Sequence, residues 1–367
     1  MKKITELDMG IIVIVSAMIL AGCSKSVDNS VTPSNAQKSE HAKAEVTPQA
    51  KPTTAPTPIS TQAPTAAPAP LATQKPEAST SSMATVSDAY INTIKITENC
   101  PEAEYERKDD VTYGTVVHKT YDSKTTGLTR GVNIILPPNY DEAKKYPVLY
   151  LLHGIFGNEY VLINDNNNKI VEISGNLIAE GKAKEMIIVL PNMFAASDKD
   201  LQPGFTAEST AAYDNFINDL VNDLMPFMEE NYSVLTGREN QAISGFSMGG
   251  REALYIGFTR PDLFGYVLAV APAPGLTPGK DWAMTHPGQM QEDELKIKSS
   301  EETPYLIMVC CGTKDSVVGS FPKSYHNILD QNEVNHIWYE VPGADHDSNA
   351  IRSGLYNFIT SIFKAEE

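Results

Sequence analysis

The chain has 367 residues, 41% of them apolar and 20% charged, with 46 acidic against 29 basic side chains and a formal charge of −17. At roughly 150 residues per domain, that length allows one large domain or two ordinary ones. Residues 1–88 hold equal numbers of acids and bases, so the deficit falls on residues 89–367. Such a surface repels phosphate backbones, which excludes nucleic acid as a natural partner. The four cysteines, Cys23, Cys100, Cys310 and Cys311, include no CxxC pair and are too few for a disulfide-dense scaffold.

The N-terminus reads as an address followed by a tether. Lys2 and Lys3 precede an apolar run, Met9 to Ala21, that is shorter than the roughly 20 residues of a bilayer span and suits the core of a secretory signal. The run closes with Leu20-Ala21-Gly22-Cys23, which resembles the lipobox of bacterial lipoproteins. That resemblance implies removal of a signal peptide, residues 1–22, and acylation of Cys23 with palmitate-type chains. Several chains on one residue hold a protein stably at a membrane where one does not. Contact with the membrane is then expected only through the lipid on Cys23, at the extracellular face. Residues 24–88 contain no Phe, Tyr or Trp and are dominated by Thr, Ala, Pro, Ser and Gln. They cannot bury enough apolar surface to offset chain ordering. Residues 23–88 are therefore expected to be a lipidated cysteine and a disordered spacer that, fully stretched, reaches on the order of 200 Å.

Residues 89–367 read as one α/β domain. Val111 to Tyr121 and Thr129 to Leu136 look like an antiparallel pair joined through Asp122–Gly127. Apolar runs then alternate with helical segments. The candidate strands are 148–152, 186–190, 241–244, 266–270, 306–309 (the middle of an apolar run from Tyr305 to Cys311) and 336–341. Uninterrupted apolar strands suit a parallel sheet covered on both faces. Helices are expected over 213–232, kinked at Pro226, and over 247–258, 325–331 and 350–363. The pattern predicts a doubly wound, mostly parallel sheet with antiparallel N-terminal strands, carrying its site at the carboxyl ends of the strands.

Three short stretches carry chemistry. Gly245-Phe246-Ser247-Met248-Gly249 directly follows a strand and precedes a helix, the setting of a nucleophile elbow. Flanking glycines remove the Cβ atoms that would clash where strand and helix nearly touch. Leu151-Leu152-His153-Gly154-Ile155 ends an earlier strand. It can supply the Ile155 N–H to an oxyanion hole whose other donor is the Met248 N–H. His153 precedes the loop's glycine and is expected to brace the loop rather than act as a base. The third stretch comprises two strand-end loops, Cys311-Gly312-Thr313-Lys314-Asp315 and Pro342-Gly343-Ala344-Asp345-His346-Asp347. The order Ser247, Asp315, His346 is the order of nucleophile, orienter and base in this fold. His346 would take the serine proton and return it to the leaving alcohol, while Asp315 fixes the imidazole tautomer. Asp345 and Asp347 are rival acids whose side chains should diverge from the ring. His118, His286, His326 and His336 lack a matching loop position and read as surface or packing residues.

Leu152-His153-Gly154, the Gly245–Gly250 stretch, Cys311–Asp315 and Gly343–Asp347 together resemble the esterase D-type α/β-hydrolases. The similarity is closest to the bacterial feruloyl and acetylxylan esterases of carbohydrate esterase family 1. Asn231-Tyr232-Ser233-Val234 and Pro261-Asp262-Leu263-Phe264 also resemble that family, and the likeness covers residues 110–363. It implies an α/β-hydrolase fold and cofactor-free hydrolysis of an ester on plant-wall polysaccharide or oligosaccharide. The leading expectation is removal of feruloyl groups from arabinoxylan. Acetyl-ester hydrolysis and acyl transfer use the same residues, and a non-catalytic saccharide-binding lipoprotein would share the scaffold. No metal is required, because the Asn164–Asn168 run lacks the glycine and terminal glutamate of a calcium loop. Substrate selection is expected in the loops 156–173, 193–212 and 273–298, the last of which offers Trp282 and Met284 to a phenolic ring.

Overall fold

The computed structural model describes residues 83–278 and 286–364. The chain divides into two units, residues 1–74 and 75–367, and the described residues all belong to the second. The expected signal peptide, Cys23, Trp282 and Met284 lie outside the described residues.

Among the described residues, eight strands form one sheet in the order β1-β2-β4-β3-β5-β6-β7-β8. They are β1 (Thr115–Ser123), β2 (Leu128–Leu136), β3 (Val148–Leu152), β4 (Ile187–Pro191), β5 (Gln241–Phe246), β6 (Tyr266–Val270), β7 (Leu306–Gly312) and β8 (Ile337–Val341). The β1–β2 and β2–β4 pairings are antiparallel, and all the others are parallel. β3, β4, β5, β6 and β7 are buried along nearly their whole length. This is why they read as unbroken apolar runs rather than alternating ones.

Side chains alternate between two cores. Tyr150, Leu152, Ile243, Val267 and Val309 point to one face, where they meet Phe216, Leu220, Leu254, Ile256 and Leu329. Leu149, Leu151, Ala242, Leu268 and Met308 point to the other, against Ile173, Leu177, Ile351, Leu355 and Phe358. Helices Met248–Thr259 and Phe321–Gln331 thus cover the first face, and Ile170–Ala179 and Ser348–Ile359 the second.

Several boundaries differ from expectation. β1 begins at Thr115 rather than Val111 and runs on to Ser123, leaving 124–127 as the turn, with Gly127 at φ 72°. The segment expected as one kinked helix over 213–232 is a chain of pieces. Ala207–Asp214 and Phe216–Asp219 lead into a π-turn at Leu220–Leu224, then Met225–Asn231. Pro226 has no N–H, and just before it the ladder widens so that the Met225 N–H reaches back five residues to the Leu220 carbonyl. A helix over Met83–Ile91 begins five residues before the expected end of the spacer. Its Ile91 is buried in the second core. Cys100, Cys310 and Cys311 are buried free thiols, and burial pushes the Cys100 and Cys310 thiols up to about 12. Among the described residues no helix is long and apolar enough to cross a membrane.

Candidate active site

β5 ends at Phe246 and the next helix begins at Met248, so Ser247 alone makes the turn. It does so at φ 58°, ψ −117°, a conformation that a side-chain-bearing residue rarely adopts. Three backbone bonds hold it there. The Ser247 N–H donates to the Val270 carbonyl (2.9 Å), and the Ser247 carbonyl accepts from Arg251 (3.0 Å) and Ala273 (2.9 Å). The two flanking glycines are required sterically. A Cβ on Gly245 would stand 2.2 Å from the Gly249 carbonyl oxygen, and one on Gly249 would collide with the end of β3.

β7 and β8 end beside this elbow and deliver the other two residues. His346 Nδ1 lies 2.8 Å from Asp315 Oδ2. The His346 ring packs 4.3 Å from that of Phe246, the residue before the serine. Asp315 is itself fixed, because its Oδ1 accepts from the Val317 (3.0 Å) and Val318 (3.1 Å) amides. Burial works against a charged Asp315. The hydrogen bond and charge of His346 and the two amide donors outweigh it, and the carboxyl stays below the usual carboxylate range. The rival acids are occupied elsewhere. Asp345 accepts from the Ser316 and His346 amides, and Asp347 caps the last helix through Asn349 and Ala350.

The loop after β3 passes over the elbow. A Cβ placed on Gly154 would sit 3.4 Å from Ser247 Cβ. Met248 opens its helix, so its N–H has no acceptor in a preceding turn. Neither that N–H nor the Ile155 N–H is bonded to a protein acceptor among the described residues. Both expected donors are thus on the two segments that meet at Ser247. His153 braces the loop, as expected. Its Nε2 accepts from the Met193 amide (3.0 Å), so the proton rests on Nδ1, which faces the Gly154 carbonyl at 2.7 Å. Burial lowers its pKa to about 4, which leaves it neutral and unsuited to act as a base. Arg130 extends the brace. Paired with buried Asp219 at 3.1 Å, it donates to the carbonyls of Asn192 and Phe194 on either side of Met193.

Between this loop and the start of the last helix lies a cleft of about 510 Å³. Phe156, Val161, Leu162 and Ile351 give it apolar walls, while Asp165, Asn168, His346 and Ser348 bring polar groups. Phe156 turns outward at φ 63°, with its amide held by the Tyr213 hydroxyl (3.1 Å), and its ring meets Phe205 edge-on. A larger groove of about 800 Å³ lies between residues 86–97 and 356–364 and contains none of these residues.

A buried polar cluster was not foreseen from the sequence. Arg251, one turn beyond Ser247, is fully buried, with Nη1 2.6 Å from Asp214 and 2.8 Å from Glu252. Its other Nη donates to the carbonyls of Gly275 (3.2 Å) and Gly288 (3.1 Å). Asp214 also meets His286 Nδ1 (2.7 Å) and the Gly288 amide (2.6 Å). His286, expected as a surface or packing residue, is therefore part of a charge network that ties Gly275 and Gly288 to the elbow helix. The available signal was the adjacent Arg251-Glu252 pair inside an otherwise apolar helix.

The Esterase family model matches residues 123–342. Among solved structures, a CE1 ferulic acid esterase from Anaeromyces mucronatus, in complex with ferulic acid, is 51% identical with a TM-score of 0.70. The match covers 75% of this chain and all of that one. An endo-1,4-beta-xylanase/feruloyl esterase from Xylanibacter ruminicola is 31% identical over 59% of this chain. Endo-1,4-beta-xylanase Y from Acetivibrio thermocellus is 28% identical over 50%. The matches span only 27% and 15% of those two proteins' own lengths.

Proposed function

The chain belongs to the Esterase family, among its CE1 ferulic acid esterases, and from that premise we propose that it removes feruloyl groups from plant-wall arabinoxylan through Ser247, His346 and Asp315. It is a serine carboxylic ester hydrolase. What carries the proposed roles is the 2.8 Å contact between His346 and Asp315 on the rim that also holds the strained Ser247.

In this reading, His346 Nε2 takes the Ser247 hydroxyl proton as the oxygen attacks the ester carbonyl. The proton then goes to the departing sugar hydroxyl. Asp315 keeps the other ring proton on Nδ1 and stabilises the imidazolium. The Ile155 and Met248 amides receive the oxyanion, which is worth roughly 3–4 kcal/mol per donor in comparable sites. A water molecule activated by His346 releases the acid. The apolar walls of the cleft suit a phenylpropenoyl group better than an acetyl group.

Methyl ferulate, acetylated xylan and de-starched plant wall, each incubated with the full chain and with Ser247→Ala, test the reading. We expect ferulate release that falls by about 10⁶ in the variant. Full turnover by the variant, or release of acetate alone, would overturn it. We also place the enzyme at the extracellular face of the cell membrane through lipid on Cys23. Incorporation of labelled palmitate should be lost in Cys23→Ser, and retention would remove the anchor.

A further inference from the structure

A second cluster of ligating side chains lies at the amino end of β8, on the edge of the sheet. His326 and Asp330 are four residues apart on helix Phe321–Gln331 and so share a face. His336 stands just before β8. One ligand atom from each of the three lies within 4.8 Å of the others. His326 Nδ1 is 2.8 Å from His336 Nε2, His326 Nε2 is 3.5 Å from Asp330 Oδ2, and His336 Nε2 is 4.0 Å from Asp330 Oδ1.

His336 Nδ1 lies 2.7 Å from the Val334 carbonyl, which can only accept, so Nδ1 carries that ring's proton and the Nε2 lone pair faces the cluster. A backbone carbonyl behind a ring in this way is the arrangement that orients metal-ligating histidines. The 2.8 Å contact then needs a proton on His326 Nδ1, which leaves His326 Nε2 opposite a carboxylate. A cation held by His336 Nε2, His326 Nδ1 and Asp330 Oδ1 would instead place the His326 proton on Nε2, facing Asp330 Oδ2.

We propose that His326, Asp330 and His336 bind one divalent transition-metal ion of the zinc class, a ligand set outside the catalytic site. Imidazole and carboxylate donors suit zinc, nickel and copper. Tetrahedral zinc, with bonds of about 2.0–2.1 Å, separates its ligands by roughly 3.3 Å. The two spacings from His336 Nε2, 2.8 Å to His326 Nδ1 and 4.0 Å to Asp330 Oδ1, bracket that value, and the adjustment falls on His326 and Asp330. The His336 side chain is 2% exposed and acts as the fixed ligand, whereas the Asp330 side chain is 61% exposed and leaves an entry path and a place for water. The ion would join the start of β8, whose far end leads into the His346 loop, to the helix that follows the Asp315 loop.

The site carries its own reporter. The Trp338 ring stacks on His326 at 5.3 Å and 8°, and the chain has only two tryptophans. The full chain, without an affinity tag and carrying Trp282→Phe, is titrated with Ni²⁺ for fluorescence and with Zn²⁺ by calorimetry. We expect saturable quenching, one Zn²⁺ per chain and an unfolding midpoint several degrees higher with excess ion. His336→Gln should abolish binding, Asp330→Asn should weaken it at least tenfold, and Ser247→Ala should leave it unchanged. If His336→Gln fails to fold, the largely exposed Asp330→Asn decides alone. Absence of saturable quenching, or equal Zn²⁺ affinity in Asp330→Asn, overturns the proposal.

Discussion

A Cβ on Gly249 would stand 2.4 Å from the carbonyl oxygen of Leu152. The first turn of the elbow helix therefore rests directly on the end of β3, where the loop carrying Ile155 begins. One glycine sets the spacing between Ser247 and the loop that carries Ile155. Gly249→Ala should destabilise the fold by on the order of 3 kcal/mol by overpacking. It should also depress kcat beyond what partial unfolding explains. Denaturant titration beside ester turnover measures both, and an active variant of unchanged stability would contradict the contact.

Asp315→Asn should leave the fold intact and lower kcat by about 10⁴, because an amide cannot keep the proton on His346 Nδ1. Asp345→Asn and Asp347→Asn should keep most of their activity, since those carboxylates bind backbone amides. Turnover of the three variants under one condition ranks the acids. Loss in Asp345→Asn equal to that in Asp315→Asn would move the orienting role.

Buried His153 gives a defined pH dependence of stability. Its folded pKa of about 4 lies below the ordinary 6.5, so the unfolded chain binds the extra proton between those values. Its contribution is complete above pH 6.5 and is lost as pH falls towards 4, amounting to about 3 kcal/mol. The wild type should therefore lose more stability than His153→Gln between pH 7 and 4.5, judged by urea midpoints. Parallel curves would show that the ring titrates normally in the fold.

The cluster around Arg251 separates two acids that touch the same guanidinium. Burial pushes the Glu252 carboxyl up to about 8, well above the usual carboxylate range, against the pull of the neighbouring guanidinium. The bonds from His286, Arg251 and Gly288 outweigh burial at Asp214 and hold it ionised. Glu252→Gln should thus change stability by less than about 1 kcal/mol, whereas Asp214→Asn should cost about 3–5 kcal/mol by leaving a buried cation unpaired. Chemical denaturation of both variants at pH 7 tests the assignment, and equal losses would refute it.

Local chemistry was legible because it is written within a few residues. Ser247 could be recognised because a strand, two spaced glycines and a helix leave a single residue to turn at φ 58°. Chain order and strand-end position pointed to His346 and Asp315, and their 2.8 Å contact agrees with that order. Element edges were less legible. Hydrophobicity marks what is buried, and a strand such as β1 extends as far as its partner offers hydrogen bonds, here to Ser123 opposite Leu128.

By itself the sequence determined the sheet's apolar strands, the strand–turn–helix at Ser247 and the histidine and aspartate in the strand-end loops, since each depends on neighbours in the chain. Only the tertiary structure decided which distant charges share a burial site. Asp214 meets Arg251 and His286 across 37 and 72 positions, and His326 meets His336 across the edge of the sheet. A buried polar group must find its partner wherever packing brings one within hydrogen-bond reach. That proximity belongs to the folded chain and leaves no periodicity in the letters.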